Sequence, residues 1–164
     1  MLLSSHPPVA LRVAAVVGLA HASFSAYWAL GGSWLLETVG QRAVDLQAKE
    51  PVMAGAVLLA VAAGKVALAV FPVAECSTDR LQRTRWRVPL WLAAVGLFVY
   101  GTVYSVTGIL VVTGIVDPVG GYDQAGMIGH AFIWDPLFAL WGFSLGAGLL
   151  ALRRRSVALL PAQP

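Results

Sequence analysis

Residues 51–71 read PVMAGAVLLAVAAGKVALAVF, an apolar run with one charged side chain, Lys65. An α-helix needs about 20 such residues to cross about 30 Å of hydrocarbon. Three other runs have a similar length, and the four predicted spans are residues 9–30, 52–71, 89–109 and 127–152. The sequence therefore predicts an all-α integral membrane protein, a four-helix bundle that forms one transmembrane domain over residues 1–164.

The composition supports this fold class. Hydrophobic residues make up 59% of the chain and charged residues 12%, and the mean hydropathy is +0.77. A water-soluble domain of this composition would lack the polar surface to cover itself. The net charge is +3, but the basic residues lie where membrane topology requires them. The charge therefore gives no reason to predict a nucleic-acid partner. The single cysteine, Cys76, excludes an internal disulfide and a thiolate metal site, and we interpret it as an ordinary reduced thiol.

Basic residues are concentrated on one side of the predicted bundle. This side carries eight of the eleven Lys and Arg residues: Arg12, Arg80, Arg83, Arg85, Arg87, Arg153, Arg154 and Arg155. The opposite side carries Arg42 and Lys49, diluted by acidic residues, and a third-to-fourth connection without Lys or Arg. The positive-inside rule then predicts a multi-pass protein of the cell membrane with both termini cytoplasmic.

The first span also imitates a signal peptide. Arg12 precedes an apolar stretch that ends in the small-residue sequence Ala20-His21-Ala22. Cleavage there would leave three spans. The apolar character continues to Leu30, and an odd number of spans would contradict the distribution of loop charges, so a retained helix is favoured.

Polar side chains from three spans are predicted to lie at one depth. A rise of 1.5 Å per residue places His21 about 18 Å from the inner face and Asp135 about 12 Å from the outer face. In a core about 30 Å thick these depths coincide. Tyr100 and Tyr104 bracket the same level. Ionisable groups at such depth usually face a bundle interior or a cavity, so these residues are functional candidates.

Helical phase directs His21 and Asp135 into the bundle. His21 shares a face with residues at three- and four-residue spacing, Ala14, Gly18, Ser25 and Trp28. Asp135 shares its face with Ala139, Gly142 and Gly146, small residues that permit close helix packing. We expect a hydrogen bond between His21 and Asp135, and this pair is either a polar clasp between helices or a functional site.

Two further polar residues each allow two interpretations. Lys65 lies about 9 Å from the inner face, where its side chain can snorkel to the headgroups, and the alternative is an inward counter-charge to Asp135. His130 shares a face with Trp134 and Trp141, which is typical of an aromatic belt at the interface. A haem held by His21 and His130 lacks a supporting ligand pattern, so no cofactor is identified and no metal site is predicted.

Pro136 follows Asp135 directly and deprives the carbonyl of Phe132 of its helical partner. We therefore predict a small outward-opening pocket between the first and fourth helices. The candidate ligand-binding residues are His21, Tyr27, Trp28, Tyr104, Trp134 and Asp135. The secondary candidates are Lys65, Tyr100 and His130.

The connections are too short for a soluble domain. In the outer connection, residues 31–51, Trp34 and Leu36 lie in the headgroup region, either on a short interfacial helix that begins near Ser33 or with Trp34 as a simple belt residue. The glycine- and proline-rich residues 117–123 predict a turn. The arginine-rich inner connection, residues 72–87, sets topology or attracts anionic lipid.

The stretch HASFSAYWALGG at residues 21–32, the run Trp134-Asp135-Pro136-Leu137-Phe138 and the following Gly142 resemble a family of small bacterial membrane proteins that carry a domain of unknown function. The likeness covers most of the chain. It implies the four-helix membrane fold and draws attention to His21, Trp28 and Asp135, but it implies no activity.

Two classes of function are compatible with these observations. The favoured class is a non-catalytic bundle whose polar layer packs helices or binds a lipid or small hydrophobic ligand. The alternative is a membrane enzyme or a proton-coupled carrier in which Asp135 and His21 exchange protons near the outer leaflet. The expected partner is the lipid bilayer, and four helices are few for a carrier, so transport would require a homodimer.

Overall fold

The computed structural model of the protein describes residues 6–76 and 84–157. In chain order the elements are α1 (Val9–Ala29), a 3₁₀ turn (Leu36–Val39), α2 (Gln41–Lys49), α3 (Pro51–Ala74), α4 (Thr84–Val112), α5 (Gln124–Gly129), a π-helical segment (His130–Trp134) and α6 (Asp135–Val157). We call the end of the bundle that carries residues 6–8 and the last turn of α6 the terminal end. The opposite end, which carries residues 30–50 and 113–123, is the cap end.

Four helical stretches are long and apolar enough to cross a membrane, as judged by length and composition. They are α1, α3, α4 and the continuous run of α5, the π-helical segment and α6. The predicted all-α four-helix bundle is confirmed. The largest differences from the predicted spans are five residues, at the start of α4 at Thr84 and at the end of α6 at Val157.

Helices α1 and α6 form the centre of the bundle. They pack against each other, α3 packs against α1, and α4 packs against α6. In the apolar stretches of the first and last spans 39% of the residues are buried, compared with 17% for α3 and 22% for α4. Helices α3 and α4 therefore direct most of their apolar side chains outward, as expected for helices covered by lipid.

The apolar core lies between α1 and α6 and extends to the terminal end. Leu11, Trp141 and Leu145 are each exposed by 1% or less. Gly18 of α1 lies directly against the Trp141 ring, where a larger residue would collide with the indole. The predicted inward face of α1, which includes Gly18 and His21, is confirmed.

Helices α4 and α6 approach each other closely because glycines lie at their contact. Gly101 of α4 lies against the backbone of Asp135 and Ala139. Gly142 of α6 lies against the backbone of Phe98, which confirms its predicted packing role. The close approach holds α4 beside Asp135, the polar residue at the start of α6.

Residues 33–50, which we call the cap segment, close the cap end. The indole N–H of Trp28 donates to the Trp34 carbonyl at 2.9 Å, and that of Trp134 donates to the Thr38 carbonyl at 3.1 Å. Gln47 Nε2 donates to the carbonyl of Trp28 at 3.0 Å. The Trp28 carbonyl also accepts from the N–H of Gly31 at 3.0 Å, so the Gln47 bond is the second one to this oxygen at the end of α1.

The sequence allows two interpretations of the cap segment, a short helix that begins near Ser33 or Trp34 as a simple belt residue. The regular helix of this connection is α2, which begins at Gln41 and not near Ser33. Leu36, expected among the headgroups, is 3% exposed and packs with Trp28 in an aromatic cluster. Trp34 is 64% exposed, which is compatible with a belt residue.

Asp123 is the last residue of the predicted turn, and its side chain connects two parts of the cap end. Its carboxylate accepts from the N–H of Gly126 at 3.2 Å and from the N–H of Gln41 at 2.6 Å. The first bond caps α5, and the second reaches the start of α2. One carboxylate therefore ties the cap segment to the start of the last span.

The arginine-rich connection at the terminal end includes residues 77–83, which lie outside the described residues. Within the described residues this connection includes Cys76, and its last residue, Arg87, is exposed on α4. Burial raises the pKa of the Cys76 thiol, so the reactive thiolate is scarcer at neutral pH than in a free cysteine. This environment suits an ordinary thiol better than a reactive one.

Candidate functional site at the polar layer

The π-helical segment brings His130 next to Asp135. In an ordinary α-helix, residues five apart point roughly 140° away from each other around the axis. The wider turn at residues 130–134 changes this angle, and His130 Nδ1 lies 3.0 Å from Asp135 Oδ2. Pro136 explains the change of helix type, because proline has no N–H for the carbonyl of Phe132 and its ring displaces that carbonyl.

Hydrogen bonds on both ring nitrogens fix the proton count of this pair. His130 Nε2 lies 3.2 Å from the carbonyl oxygen of Val39, which only accepts, so Nε2 must carry a hydrogen. One further proton is needed between Nδ1 and the carboxylate of Asp135. The pair is therefore either an imidazolium beside a carboxylate or a neutral imidazole beside a carboxylic acid. Its net charge is zero in both forms.

Burial distinguishes the two partners. The side chain of Asp135 is 0% exposed, and that of His130 is 36% exposed. His130 thus connects a buried acid to a more open surface. A buried carboxyl group requires such a partner, because an isolated charge at membrane depth is expensive.

A second polar group joins α3 to α1. Lys65 Nζ donates to Ser25 Oγ at 2.8 Å and to His21 Nδ1 at 3.0 Å. It also lies 5.5 Å from the centre of the Phe138 ring, a cation–π geometry. Lys65 therefore points into the bundle, and the snorkelling interpretation is wrong. Its inward partners are His21 and Ser25, in place of the expected Asp135.

Aromatic rings separate and surround these groups. The His21 ring centre lies 4.1 Å from that of Phe138 and 5.8 Å from that of Trp134. The Trp28 and Trp134 rings meet edge to face at 5.2 Å. These rings fill the space between the first and last spans. The pocket predicted there is consequently replaced by an aromatic cluster.

An open cleft lies beside this cluster, between the cap segment, α4 and the start of the last span. Its volume is about 740 Å³. The lining residues are Val39, Gly40, Gln41, Arg42, Tyr100, Tyr104, Thr107, Gly108, Asp123, Gly126, Met127 and His130. Gly40 has a φ of 124°, which glycine adopts readily at the junction between the 3₁₀ turn and α2. His130 thus belongs both to the cleft wall and to the pair with Asp135.

The structure distributes the predicted site residues over the cleft, the aromatic cluster, the cap end and the two polar pairs. Tyr100 and Tyr104 line the cleft together with His130, and the two phenol rings lie 4.5 Å apart. Trp28 and Trp134 belong to the aromatic cluster.

Tyr27 lies at the cap end, where its hydroxyl accepts from the N–H of Trp34 at 3.4 Å. The expected hydrogen bond between His21 and Asp135 is replaced by His21 with Lys65 and Asp135 with His130.

Several residues of the site are not among the candidates predicted from the sequence. Ser25 shares the His21 face, and this spacing was a usable signal for its contact with Lys65. The carbonyl of Val39 and the guanidinium of Arg42 belong to an irregular connection, whose position over the helices has no periodic signal in the sequence. The sequence indicates Phe138 only as the last residue of the run Trp134-Asp135-Pro136-Leu137-Phe138.

Two buried polar atoms of the layer have no protein partner within the described residues. They are His21 Nε2 and Asp135 Oδ1. His21 is 4% exposed and Asp135 is 0% exposed. The charge of Asp135 interacts with both His21 and Tyr100, so the groups belong to one electrostatic environment.

Metal and haem ligation receive no support from this geometry. Within residues 6–76 and 84–157, no group of three or more His, Cys, Asp or Glu side chains is placed to hold a metal ion. Haem ligation by His21 and His130 does not fit, because both ring nitrogens of His130 are engaged by Asp135 and Val39.

Comparison with known families gives one match. A family model described as "Protein of unknown function (DUF3995)" matches residues 18–145. No curated protein matches the chain, and no solved structure matches it. The matched interval covers most of the 164 residues and includes both polar pairs, the aromatic cluster and the cleft. The chain therefore belongs to the DUF3995 family of proteins of unknown function.

Proposed function

We propose that this protein is a non-catalytic membrane protein that binds a lipid or a small amphipathic molecule in the cleft at its cap end. The observation that carries this proposal is the position of His130, which lines the cleft and is held by the buried Asp135. The cleft volume of about 740 Å³ lies within the range of roughly 300–1,000 Å³ typical of small-molecule sites.

The lining of the cleft suits a molecule with a polar end and an apolar body. Tyr100, Tyr104 and Met127 offer aromatic and apolar surface. Arg42 is exposed at the start of α2 and offers a charged donor beside the cleft. Small-molecule sites commonly combine such apolar walls with a few placed polar groups. The polar end of the ligand would lie toward Arg42 and His130, and its body against the tyrosines.

The proposed location is a bacterial cell membrane, with both termini in the cytoplasm and the cleft facing outward. Arginines at the terminal end support this orientation: Arg12, Arg87, Arg153, Arg154 and Arg155. The cap end carries two basic residues, Arg42 and Lys49, and five acidic residues: Glu37, Asp45, Glu50, Asp117 and Asp123. The bacterial source is proposed from the family resemblance of the sequence.

A photo-crosslinking amino acid at Met127 tests the binding proposal. Met127 lines the cleft, whereas the next residue, Ile128, lies outside that lining and is 38% exposed. We expect illumination in native membranes to give one defined adduct mass at position 127 and a mixture of bulk lipid adducts at position 128. The same lipid mixture at both positions would contradict a specific ligand in the cleft.

Proton chemistry in the polar layer is the second candidate function. The proton shared by His130 and Asp135 favours it, because the pair lies between the cleft and the bundle interior. A membrane enzyme or proton-coupled carrier would lose activity in Asp135→Asn while its fold persisted, whereas a binding protein would keep its ligand. A carrier of four helices would act as a homodimer, and Gly64 of α3 and Gly96 of α4 have open space for a second copy.

A further inference from the structure

We propose that a buried water molecule bridges His21 Nε2 and Asp135 Oδ1, and that the resulting chain carries a proton between Lys65 and the His130–Asp135 pair. The chain would run from Lys65 through His21, the water and Asp135 to His130 at the cleft wall. It joins two polar groups that the protein contacts alone leave separate. The inference requires no particular ligand in the cleft.

The two ends of the bridge have matching chemistry. His21 Nδ1 accepts from the ammonium of Lys65, so a neutral His21 carries its hydrogen on Nε2 and donates there. Asp135 Oδ2 is occupied by His130, so Oδ1 is the oxygen free to accept. A water that accepts from His21 and donates to Asp135 satisfies both atoms.

The burial of the two atoms, which have no protein partner within the described residues, favours an ordered molecule as their partner. Both side chains are more than nine-tenths buried, and they lie on α1 and α6, which pack against each other. Buried polar atoms in proteins almost always have a hydrogen-bond partner. A buried water typically makes two to four hydrogen bonds, and the polar atoms of this layer can supply them.

The proton transfer is balanced at every bond. Lys65 gives a proton from Nζ to His21 Nδ1, and the Nε2–H of His21 passes its proton to the water. The water releases one of its own protons to Asp135 Oδ1, which becomes a carboxylic acid. No atom or electron is gained or lost. The transfer starts from the imidazolium–carboxylate form of the pair: Lys65 loses its positive charge, Asp135 loses its negative charge, and His130 stays an imidazolium, so the net charge of +1 is conserved.

The groups that face this chain come from every helix of the bundle. Lys65 lies on α3, His21 on α1, Asp135 on α6 and Tyr100 on α4. Asp123 of the cleft interacts electrostatically with His130. The rings of Trp134 and Phe138 cover His21 and limit access of bulk water, so the chain is the direct route for a proton.

The test is nitrogen NMR of the full chain in lipid discs, with ¹⁵N-labelled histidine and lysine, over a pH titration. In the wild type we expect the His21 proton to move from Nε2 to Nδ1 over the same pH range in which Lys65 loses its charge. Asp135→Asn keeps a hydrogen-bonding side chain but no longer accepts a proton, and it should hold His21 in the Nε2–H form. Ser25→Ala removes one bond of Lys65 outside the chain and should leave the tautomer change intact.

Two results would overturn the proposal. One is a wild-type His21 that keeps its Nε2–H form throughout the titration of Lys65. The other is an unchanged tautomer shift in Asp135→Asn. If Asp135→Asn does not fold, the wild-type titration decides the question alone. Crosslinking at Met127 reports on the cleft ligand independently, so failure of the binding proposal is distinguishable from failure of the relay.

Discussion

Asp135 and His130 depend on each other at the scale of single residues. The carboxyl group is wholly buried, and His130 is the partner of its Oδ2. Removing one member of such a pair leaves a buried group that has lost both water and its hydrogen bond. Replacing the acid with an amide keeps a bond to the imidazole, because an amide N–H can donate to Nδ1.

We therefore expect His130→Ala to lower the free energy of unfolding by about 1–3 kcal/mol, because Asp135 Oδ2 loses its partner. Asp135→Asn should lower it by less than about 1 kcal/mol. Reversible unfolding of both variants in mixed detergent micelles would measure the difference. Equal losses in the two variants would indicate that the hydrogen bond at this position contributes little.

The inward direction of the Lys65 side chain can be tested by chemical modification of lysine amines. The protein has two lysines, Lys49 and Lys65. Lys49 is exposed at the end of α2, whereas the Lys65 amine is held by His21 and Ser25. We expect a water-soluble amine reagent to modify Lys49 at least tenfold faster than Lys65 in lipid discs, as measured by peptide mass spectrometry. Comparable rates would mean that Lys65 reaches the headgroups.

Residue depth could be predicted from the sequence, but residue partners could not. Counting along the helices places His21 and Asp135 in one layer, and they are indeed buried on facing helices. Depth leaves open which helices are neighbours. Because α3 packs against α1, Lys65 reaches His21, and because the turn before Asp135 is π-helical, His130 reaches the acid.

At the scale of elements, the last span shows how a local irregularity builds the site. Pro136 signals in the sequence that the helix opens one turn earlier. The sequence leaves undecided whether the helix kinks, breaks or widens. The structure widens it over residues 130–134, and π-helical turns of this kind occur frequently at functional sites.

The contact between α4 and α6 depends on Gly101. A β-carbon at this position would collide with the backbone of Asp135 and Ala139, whereas one at Gly96 of the same helix would meet open space. Gly101→Ala should therefore destabilise the protein by about 1–3 kcal/mol through overpacking.

Gly96→Ala is the matched control and should be neutral or stabilising by up to about 1 kcal/mol, because alanine favours helix. Thermal unfolding in the same detergent compares the two variants. A Gly101→Ala protein as stable as Gly96→Ala would contradict the close helix contact.

The cap segment is the element that the sequence predicts least well. Its contacts include hydrogen bonds from side chains to carbonyls, such as Trp134 to Thr38 and Gln47 to Trp28. Such bonds have no periodicity in the sequence, and they depend on helix positions that are fixed elsewhere. The location of the cleft could therefore not be predicted from the sequence, although Tyr100 and Tyr104, which line it, are among the predicted site residues.

At the scale of the whole molecule, the four spans are predictable because length and hydropathy alone define a membrane helix. The order of neighbours, α3, α1, α6 and α4, depends on side-chain shape at each contact. That order decides where the polar groups meet. It also leaves broad apolar faces on the two outer helices for lipid.

The proposed orientation predicts the position of each end of the chain. A fluorescent protein fused after residue 164 should fold and fluoresce, because that end would be cytoplasmic. A periplasmic reporter enzyme inserted in residues 113–123 should be active, because this connection would face outward. The reverse pattern of reporter activity in a bacterial host would overturn the orientation and place the cleft on the cytoplasmic side.

The central claim is that the cap-end cleft holds a molecule, and native mass spectrometry of protein released from lipid discs tests it most directly. Thr107 lines the cleft, and its neighbour Val106 is 50% exposed outside the lining. Wild type and Val106→Trp should retain one co-purifying molecule of defined mass, and Thr107→Trp should lose it while remaining folded. The claim would be contradicted if nothing were bound to the wild type, or if the same molecule remained bound to Thr107→Trp.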